Sequence, residues 1–227
     1  MEDNNKEFCF ITGCDSEYEW AIPWWFDNFC HYNSNENVIL VDYGISDKYW
    51  NWCAVNNFKV IPGNNHCFNK VWFNKPLILR DCGYKYASWI DIDCEIRKNL
   101  SSMIHYAKMG FAVTIDKYAW FCKNKYALAT GVIAVNTLNT VLSEWCDYTI
   151  NNFQKYRGDQ EVLEDVAAKY RKGYSRFDKN ITIMPDYMQW LRIAGDNNPE
   201  TAIMHWTGPD GNNIIKKQIK DRNIVQL

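Results

Sequence analysis

Short apolar runs alternate with stretches of helical periodicity along the first half of the chain. The apolar runs are typical of buried strands, and the alternation is that of βαβ units, which form a parallel sheet covered by helices. The predicted strands are FCFITG (8–13), NVILVD (37–42), FKVIP (58–62), YASWIDID (86–93) and GFAVTID (110–116). A helix is predicted at 74–84, where Pro76 is a favourable residue of the first turn.

The second half of the chain has a less regular pattern, which predicts a mixed sheet. Its predicted elements are a strand at 129–136, a helix from about Thr137 to Phe153, a helix that begins near Asp159 and a strand at 202–206. No Pro- or Gly-rich linker separates the two halves. We therefore expect one α/β domain over residues 1–227, with a mixed, mostly parallel sheet flanked by helices, because a single domain of this class can exceed two hundred residues.

Composition indicates a globular chain and gives little reason to expect a nucleic-acid or membrane partner. Of the 227 residues, 47% are hydrophobic and 16% aromatic, with 11 Trp. Such rings either fill a core or line a site for flat or sugar-like ligands. The net charge is −2, so no global positive field attracts nucleic acid or an anionic membrane. One segment, KYRKGYSRFDK (169–179), interleaves basic and aromatic residues, and we interpret it as a solvated connection rather than a nucleic-acid contact.

Cysteine usage and the N-terminal residues indicate a cytoplasmic protein. The 9 Cys are odd in number and form no CxxC pair, so neither a disulfide framework nor a thiolate zinc site is expected. The opening MEDNNKEF is polar and acidic, unlike a signal peptide. No apolar run approaches the roughly 18 residues of a membrane span, so we expect a reduced chain without a transmembrane segment.

Two carboxylates interrupt the apolar stretch ASWIDIDCE (87–95). In an extended strand, alternate side chains share a face, so Asp91 and Asp93 should point the same way. Two ionised carboxylates at such a short distance repel each other, and they need solvent, a basic partner or a bound cation. Asp15 and Asp42 also follow predicted strands, at the edge where α/β sheets of this kind bind ligands.

Four blocks of sequence, spread over residues 8–209, carry a family resemblance. They are FITGCDSEY, WIDIDCE, ATGVIAVN followed by RGDQEVL, and HWTGP. In this order they resemble the GT-A glycosyltransferases, most closely glycogenin-like and galactosyltransferase-like members and glycosyltransferases encoded by bacteriophages. The resemblance implies a Rossmann-like GT-A fold that binds a nucleotide sugar, with a UDP-sugar as the first choice of donor. It also implies a divalent cation, Mn²⁺ or Mg²⁺, and it favours retention of the anomeric configuration.

The resemblance implies that Asp91, Asp93 and His205 hold the cation, with Asp91 also able to contact the ribose of the donor. An imidazole ligand favours manganese or another transition metal, because magnesium prefers oxygen ligands. Each of these residues has a structural alternative. The aspartates could be a solvated pair just past a strand, and His205 could be a hydrogen-bonded core histidine.

The same resemblance assigns further residues to the donor and the acceptor. The residues matched to the nucleotide-sugar site are Thr12, Gly13, Asp15, Tyr18, Lys75, Asp91, Thr130, Gly131, Asn136 and Gly208. Of these, Tyr18 could stack on the base, and Lys75 could contact a phosphate or the sugar. Asp159 and Gln160 match a pair that faces the transferred sugar, and they are the catalytic candidates.

Most of these assignments compete with a structural interpretation. Asp15 could lead a turn, Lys75 could be a surface residue of a helix, and Asp159 could cap the helix that it begins. Gly131 could simply allow close backbone packing.

One part of the family pattern is missing near the C-terminus. In HWTGPDGNNIIKK, Asp210 and Gly211 stand where the family has a lysine that closes on the diphosphate. Lys216 or Lys217 could replace this lysine only if the following segment folds back.

The sequence therefore predicts a metal-dependent glycosyltransferase, hexosyltransferase-like, that acts on a hydroxyl acceptor in a glycan, a protein or a modified nucleic-acid base. Two other classes stay open. A metal-dependent nucleotidyltransferase would also use paired carboxylates, but it needs a Gly-rich phosphate loop that FITGCDS does not offer. A non-enzymatic sugar-binding domain would not need a metal-bridged diphosphate.

Overall fold

The computed structural model of the chain describes residues 7–63, 68, 70–119, 121, 126–195, 198–225 and 227. The strands are β1 Phe8–Cys14, β2 Val38–Asp42, β3 Lys59–Pro62, β4 Tyr86–Ile90, β5 Cys94–Ile96, β6 Phe111–Asp116, β7 Ala127–Asn136, β8 Thr182–Ile183, β9 Trp190–Leu191 and β10 Ile203–His205. The α-helices are α1 Ile22–Asn33, α2 Asp47–Val55, α3 Lys75–Asp81, α4 Met103–Lys108, α5 Thr140–Asn152, α6 Asp159–Ala167 and α7 Gly208–Asp221.

The larger sheet is mixed and mostly parallel, as the sequence predicts. It has seven strands in the order β3-β2-β1-β4-β7-β6-β8. The pairs β1–β2, β2–β3 and β6–β8 are parallel, whereas β6–β7 is antiparallel. A second sheet has the order β5-β10-β9, with β10 antiparallel to β5 and parallel to β9. The predicted α/β class is therefore confirmed.

The chain forms two compact units. The middle unit comprises the described residues within segments 1–9, 64–89 and 102–185, and the terminal unit comprises those within segments 10–63, 90–101 and 186–227. Neither unit is a continuous half of the chain, which is why no linker is visible in the sequence. The single domain over residues 1–227 stays a prediction.

Apolar side chains supply the core of each unit. In the middle unit, nine consecutive residues of β7 are buried, and Trp145 of α5 packs edge-on against Phe111 of β6. In the terminal unit, α1 buries a row of large aromatic residues, and its Trp25 and Phe29 rings stack at 5.1 Å. These rings therefore fill the core rather than line a ligand site. No helix in the ranges described above is long and apolar enough to cross a membrane.

The main departure from the predicted elements is at the end of the strand predicted over 86–93. β4 ends at Ile90, and the residues that follow form a turn in which Cys94 N donates to Asp91 O at 3.0 Å. The chain then starts β5, which pairs with β10. The alternation of Ile and Asp continues through this turn, and for this reason the pattern alone predicts a longer strand.

Candidate functional site

The turn between β4 and β5 presents two carboxylates. The main-chain oxygen of Asp91 accepts a hydrogen bond from the Trp25 indole of α1 at 3.1 Å, besides the one from Cys94. The backbone of Asp91 is therefore held by the core, while the side chains of Asp91 and Asp93 stay 26% and 20% exposed. Both aspartates are in a position to bind a ligand.

His205, at the end of β10, faces both of these carboxylates. Its Nε2 atom lies 3.1 Å from Asp93 Oδ1 and 3.9 Å from Asp91 Oδ2. The residue that follows, Trp206, donates its main-chain N–H to Asp93 O at 3.0 Å, which fixes the two segments against each other. His205 is buried and hydrogen-bonded, as a core histidine would be. Its Nε2 atom points at two carboxylates, which it can meet either as an N–H donor to Asp93 or as a metal ligand.

The donor atoms of Asp93 and His205 are spaced as two ligands of one divalent cation are, while Asp91 Oδ2 lies further from the imidazole, at 3.9 Å. Two ligands about 2.1 Å from an octahedral cation lie about 3 Å apart, close to the 3.1 Å between His205 Nε2 and Asp93 Oδ1. Two carboxylates and one imidazole suit manganese or a similar transition metal better than they suit calcium. The three residues that the sequence names as metal ligands therefore converge within the terminal unit.

A cysteine joins this cluster, which the sequence does not predict. The ligand atoms of Asp93, Cys94 and His205 all lie within 4.8 Å of one another. Cys94 pairs directly with His205 across the antiparallel β5–β10 ladder, and residues opposite each other in such a ladder share a face. Cys94 belongs to no CxxC pair, and a pairing between strands so distant in sequence leaves no signal in residue spacing.

The segment after His205 is fixed by a side-chain hydrogen bond, and its backbone path requires two glycines. Trp206 Nε1 donates to Glu95 Oε2 at 3.0 Å. A Cβ on Gly211 would lie 1.9 Å from the Trp206 carbonyl oxygen, so only glycine lets α7 approach so closely. Gly208 has a φ of +73°, a conformation that favours glycine. The backbone explains both glycines, and a role for Gly208 in donor binding stays a prediction.

The residues of the first strand and its turn have mostly local partners. A Cβ on Gly13 would lie 2.9 Å from Val41 Cβ and from the Tyr43 ring, so this glycine serves close packing. Asp15 Oδ1 accepts from Glu17 N at 3.0 Å, as an Asp-led turn requires. Thr12 is fully buried, and its hydroxyl has no hydrogen-bond partner within the described ranges. Asp42 likewise accepts main-chain N–H groups of its own turn.

Tyr18 lies in a partly exposed aromatic group of the terminal unit. Its ring stacks on Trp20 with centroids 6.3 Å apart, and its hydroxyl accepts a long hydrogen bond from Asn212 of α7 at 3.4 Å. Lys216 Nζ lies 4.8 Å from the centroid of the Trp20 ring, whereas Lys217 pairs with Asp221. The accessible ring of Tyr18 is compatible with base stacking, which stays a prediction.

In the middle unit, Lys75 and Asp159 form a buried ion pair. Lys75 is 2% exposed, and its Nζ lies 2.9 Å from Asp159 Oδ2 and donates to Thr130 O at 2.9 Å. The interpretation of Lys75 as a surface residue is therefore wrong. Capping by Asp159 is also wrong, because the N-cap of α6 is Gly158, and Asp159 is the first helical residue. The structure brings Lys75, the main-chain oxygen of Thr130 and Asp159 together, and their roles toward a donor or a sugar stay predictions.

Gln160 has a partner that the sequence analysis missed. Its Nε2 donates to Asp116 Oδ2 at 3.1 Å, and Asp116 Oδ1 accepts from Tyr118 N at 2.8 Å. Asp116 ends β6 and could have been found by the same signal, an acid at a strand end, that singles out Asp15 and Asp42. Asn136 ends β7 and accepts from the main-chain N–H of Leu138.

Gly131 and the basic segment 169–179 are the remaining predicted positions, and a role for Gly131 in donor binding stays a prediction. Gly131 lies in the buried run of β7. In the basic segment 169–179, Arg171 binds both carboxylate oxygens of Glu164 at 2.9 and 2.8 Å and lies over the Phe177 ring. This segment is therefore a structured connection whose arginine is held by a buried acid.

Solved structures resemble this chain over most of its length. The glycosyltransferase GlyE of Streptococcus pneumoniae TIGR4 is 13% identical, with a TM-score of 0.67 over 96% of this chain and 65% of that chain. The chain has the GT-A glycosyltransferase fold. The galactosyltransferase LgtC is 14% identical, with a TM-score of 0.57 and coverage of 88% and 87%. Mouse xyloside xylosyltransferase 1 is 9% identical, with a TM-score of 0.60 and coverage of 88% and 97%.

At these identities, the likeness to the GT-A structures establishes the fold alone. One LgtC structure holds donor and acceptor sugar analogues. The chain spans just under two thirds of the GlyE chain that it matches. No protein-family model and no curated protein sequence matches the chain.

Proposed function

We propose that the protein is a metal-dependent glycosyltransferase that moves a sugar from a nucleoside-diphosphate sugar, with UDP-sugars first, to a hydroxyl acceptor. The observation that carries the proposal is the convergence of Asp91, Asp93 and His205, at 3.1 and 3.9 Å, in a chain with the GT-A fold. The sugar analogues bound to LgtC support a nucleotide-sugar donor. Because this chain is shorter than the GlyE chain, the proposal concerns the activity of this fold and not of a larger protein.

The terminal unit contributes the cation site in this proposal. Asp91, Asp93 and His205 would hold Mn²⁺, or Mg²⁺ with lower preference. When bound, the cation supplies Lewis acidity toward the charge that develops on a departing diphosphate. The backbone hydrogen bonds that fix Asp91 and Asp93 orient the two carboxylates before the ligand arrives.

The residues proposed to act on the sugar lie in the middle unit. Lys75 holds the Asp159 carboxylate in place, and Asp116 holds the amide nitrogen of Gln160. This bond orients the Gln160 side chain, since the amide oxygen must then point away from the acceptor oxygen of Asp116. We extend the proposal to Asp159 and Gln160 as sugar-facing residues and to retention of the anomeric configuration.

A panel of nucleotide sugars with Mn²⁺ tests the proposal, with released nucleoside diphosphate as the readout and chelator-treated protein as the control. We expect release from at least one UDP-sugar, lost on chelation. Release of pyrophosphate instead would indicate a nucleotidyltransferase, and binding without any release would indicate a sugar-binding domain. Either result would overturn the proposal. The anomeric proton signals of the product, read before mutarotation, test retention.

A further inference from the structure

Gln189 is the hydrogen-bond partner of His205 on the side away from the carboxylates. Its Nε2 lies 2.8 Å from His205 Nδ1, and both side chains are buried. The main chain fixes this contact, because Gln189 N donates to Asp186 O and because the next strand, β9, pairs in parallel with β10. Leu191 of β9 is opposite His205 in that ladder. The pairing of β9 with β10 therefore places the Gln189 side chain against the imidazole of His205.

The hydrogen bond at Nδ1 decides which nitrogen of a neutral imidazole carries the proton. When the amide N–H₂ of Gln189 faces Nδ1, Nδ1 accepts, and the ring proton is on Nε2, where it can donate to Asp93 at 3.1 Å. When the amide turns by half a rotation, its oxygen accepts a proton from Nδ1. In that arrangement, the Nε2 lone pair points toward Asp91 and Asp93, as metal ligation requires.

We propose that Gln189 is a positioning residue that selects the tautomer of His205, through one rotation of its carboxamide. With the amide nitrogen toward the ring, the Nε2–H group of His205 binds Asp93 and closes the site without a cation. With the amide oxygen toward the ring, Nε2 becomes a ligand. Carboxamide is suited to this role because it is both donor and acceptor, whereas a carboxylate only accepts and an apolar side chain does neither. This inference rests on the cation site of the proposed function.

Two variants separate these cases. Gln189→Glu keeps an acceptor toward Nδ1, so Mn²⁺ affinity should equal or exceed that of the wild type. Gln189→Leu removes the acceptor, so the ring proton stays on Nε2 against Asp93, and Mn²⁺ affinity should fall by about 10- to 100-fold. The matched control is Asn33→Leu, which removes another buried amide of the terminal unit whose bonds go to Phe29 and Leu100. Asn33→Leu should lower the melting temperature without changing Mn²⁺ affinity.

The experiment measures Mn²⁺ binding by calorimetry and, in the metal-free proteins, the ring-nitrogen chemical shifts of His205 by NMR, assigned with His205→Ala. The spectra are compared at a pH above which the ring-nitrogen shifts stay constant. We expect the proton on Nε2 in the wild type and in Gln189→Leu, and on Nδ1 in Gln189→Glu. Wild-type affinity in Gln189→Leu, or equally weak binding in both variants, would overturn the role of Gln189 alone. Absence of Mn²⁺ binding by the wild-type protein would overturn the cation site as well.

Discussion

Two acidic centres of the molecule differ in what compensates their charge. Asp159 lies 2.9 Å from the ammonium of Lys75, and the two side chains are only 10% and 3% exposed. The partner of Asp93 is an imidazole, charged only when it is protonated, and Asp91 and Asp93 keep about a quarter to a fifth of their surface in solvent. An ammonium of the chain pairs with the buried carboxylate of the first centre. The carboxylates of the second centre face an imidazole and stay partly exposed, so a cation from outside can reach them.

Removing a carboxylate from the second centre should have the largest effect. Asp93→Ala and Asp91→Asn should each lower Mn²⁺-dependent donor turnover by at least about a hundredfold, because the cation stabilises the leaving diphosphate by several kcal/mol. Neither change should unfold the protein, since losing one of two like charges relieves repulsion. Released nucleoside diphosphate and the melting temperature, measured together, check both statements. Chelator-sensitive turnover at the wild-type rate in both variants would contradict the cation site.

Changes to the first centre should lower the free energy of unfolding of the protein. Lys75→Met leaves the Asp159 carboxylate buried without its ammonium, and we expect a loss of about 3–5 kcal/mol in the free energy of unfolding. The double variant Lys75→Met/Asp159→Leu removes both charges and should recover most of that loss, because apolar side chains can replace a buried pair. Urea unfolding of Lys75→Met, Asp159→Leu and the double variant gives the coupling energy. If the double variant is as unstable as the sum of the single ones, the two charges are not coupled.

The segment that carries His205 gives a third test. Alanine normally stabilises a helix by about 1 kcal/mol relative to glycine. At Gly211, the new Cβ would lie 1.9 Å from the Trp206 carbonyl oxygen, so Gly211→Ala should instead cost about 2–3 kcal/mol and weaken Mn²⁺ binding. The control is Gly173→Ala, whose Cβ would meet nothing nearer than 3.7 Å. Equal unfolding midpoints for the two variants in urea would show that α7 shifts without cost.

Periodicity predicted most of the sheet, because β1, β2, β6 and β7 are short runs rich in apolar residues. It failed beyond Ile90, where Ile92 and Cys94 continue the apolar alternation although the backbone has already turned. Alternation reports burial, and Ile92 is indeed buried at 7% exposure, so the pattern carries no sign of the turn. Asp91 and Asp93 were predicted to share a face because alternate side chains of an extended strand do so, and this reason does not hold in a turn.

The partners within the sites could not be predicted from spacing. Lys75 meets Asp159, and His205 meets Gln189, through sheet and helix packing between segments far apart in the chain. The resemblance to the GT-A family named Lys75, Asp159 and His205, but it gave no reason to single out Gln189 or Cys94. A residue that positions a functional side chain is harder to recognise from one sequence than the functional residue itself. The reason is that many residue types can donate or accept a single hydrogen bond.

The smallest expected effect tests whether the second centre binds cation and nucleotide together. If Mn²⁺ contacts both the carboxylates and the diphosphate, each ligand should strengthen the binding of the other. The rise in melting temperature with Mn²⁺ and UDP together should then exceed the sum of the separate rises by about 2–4 °C, which corresponds to about 1 kcal/mol of coupling for a chain of this size. Uridine, which lacks the diphosphate, is the ligand control and should give no excess, and Asp93→Ala is the protein control. If the rise in melting temperature with Mn²⁺ and nucleotide together equals the sum of the separate rises, for UDP and also for GDP and CDP, the second centre does not bind cation and diphosphate together.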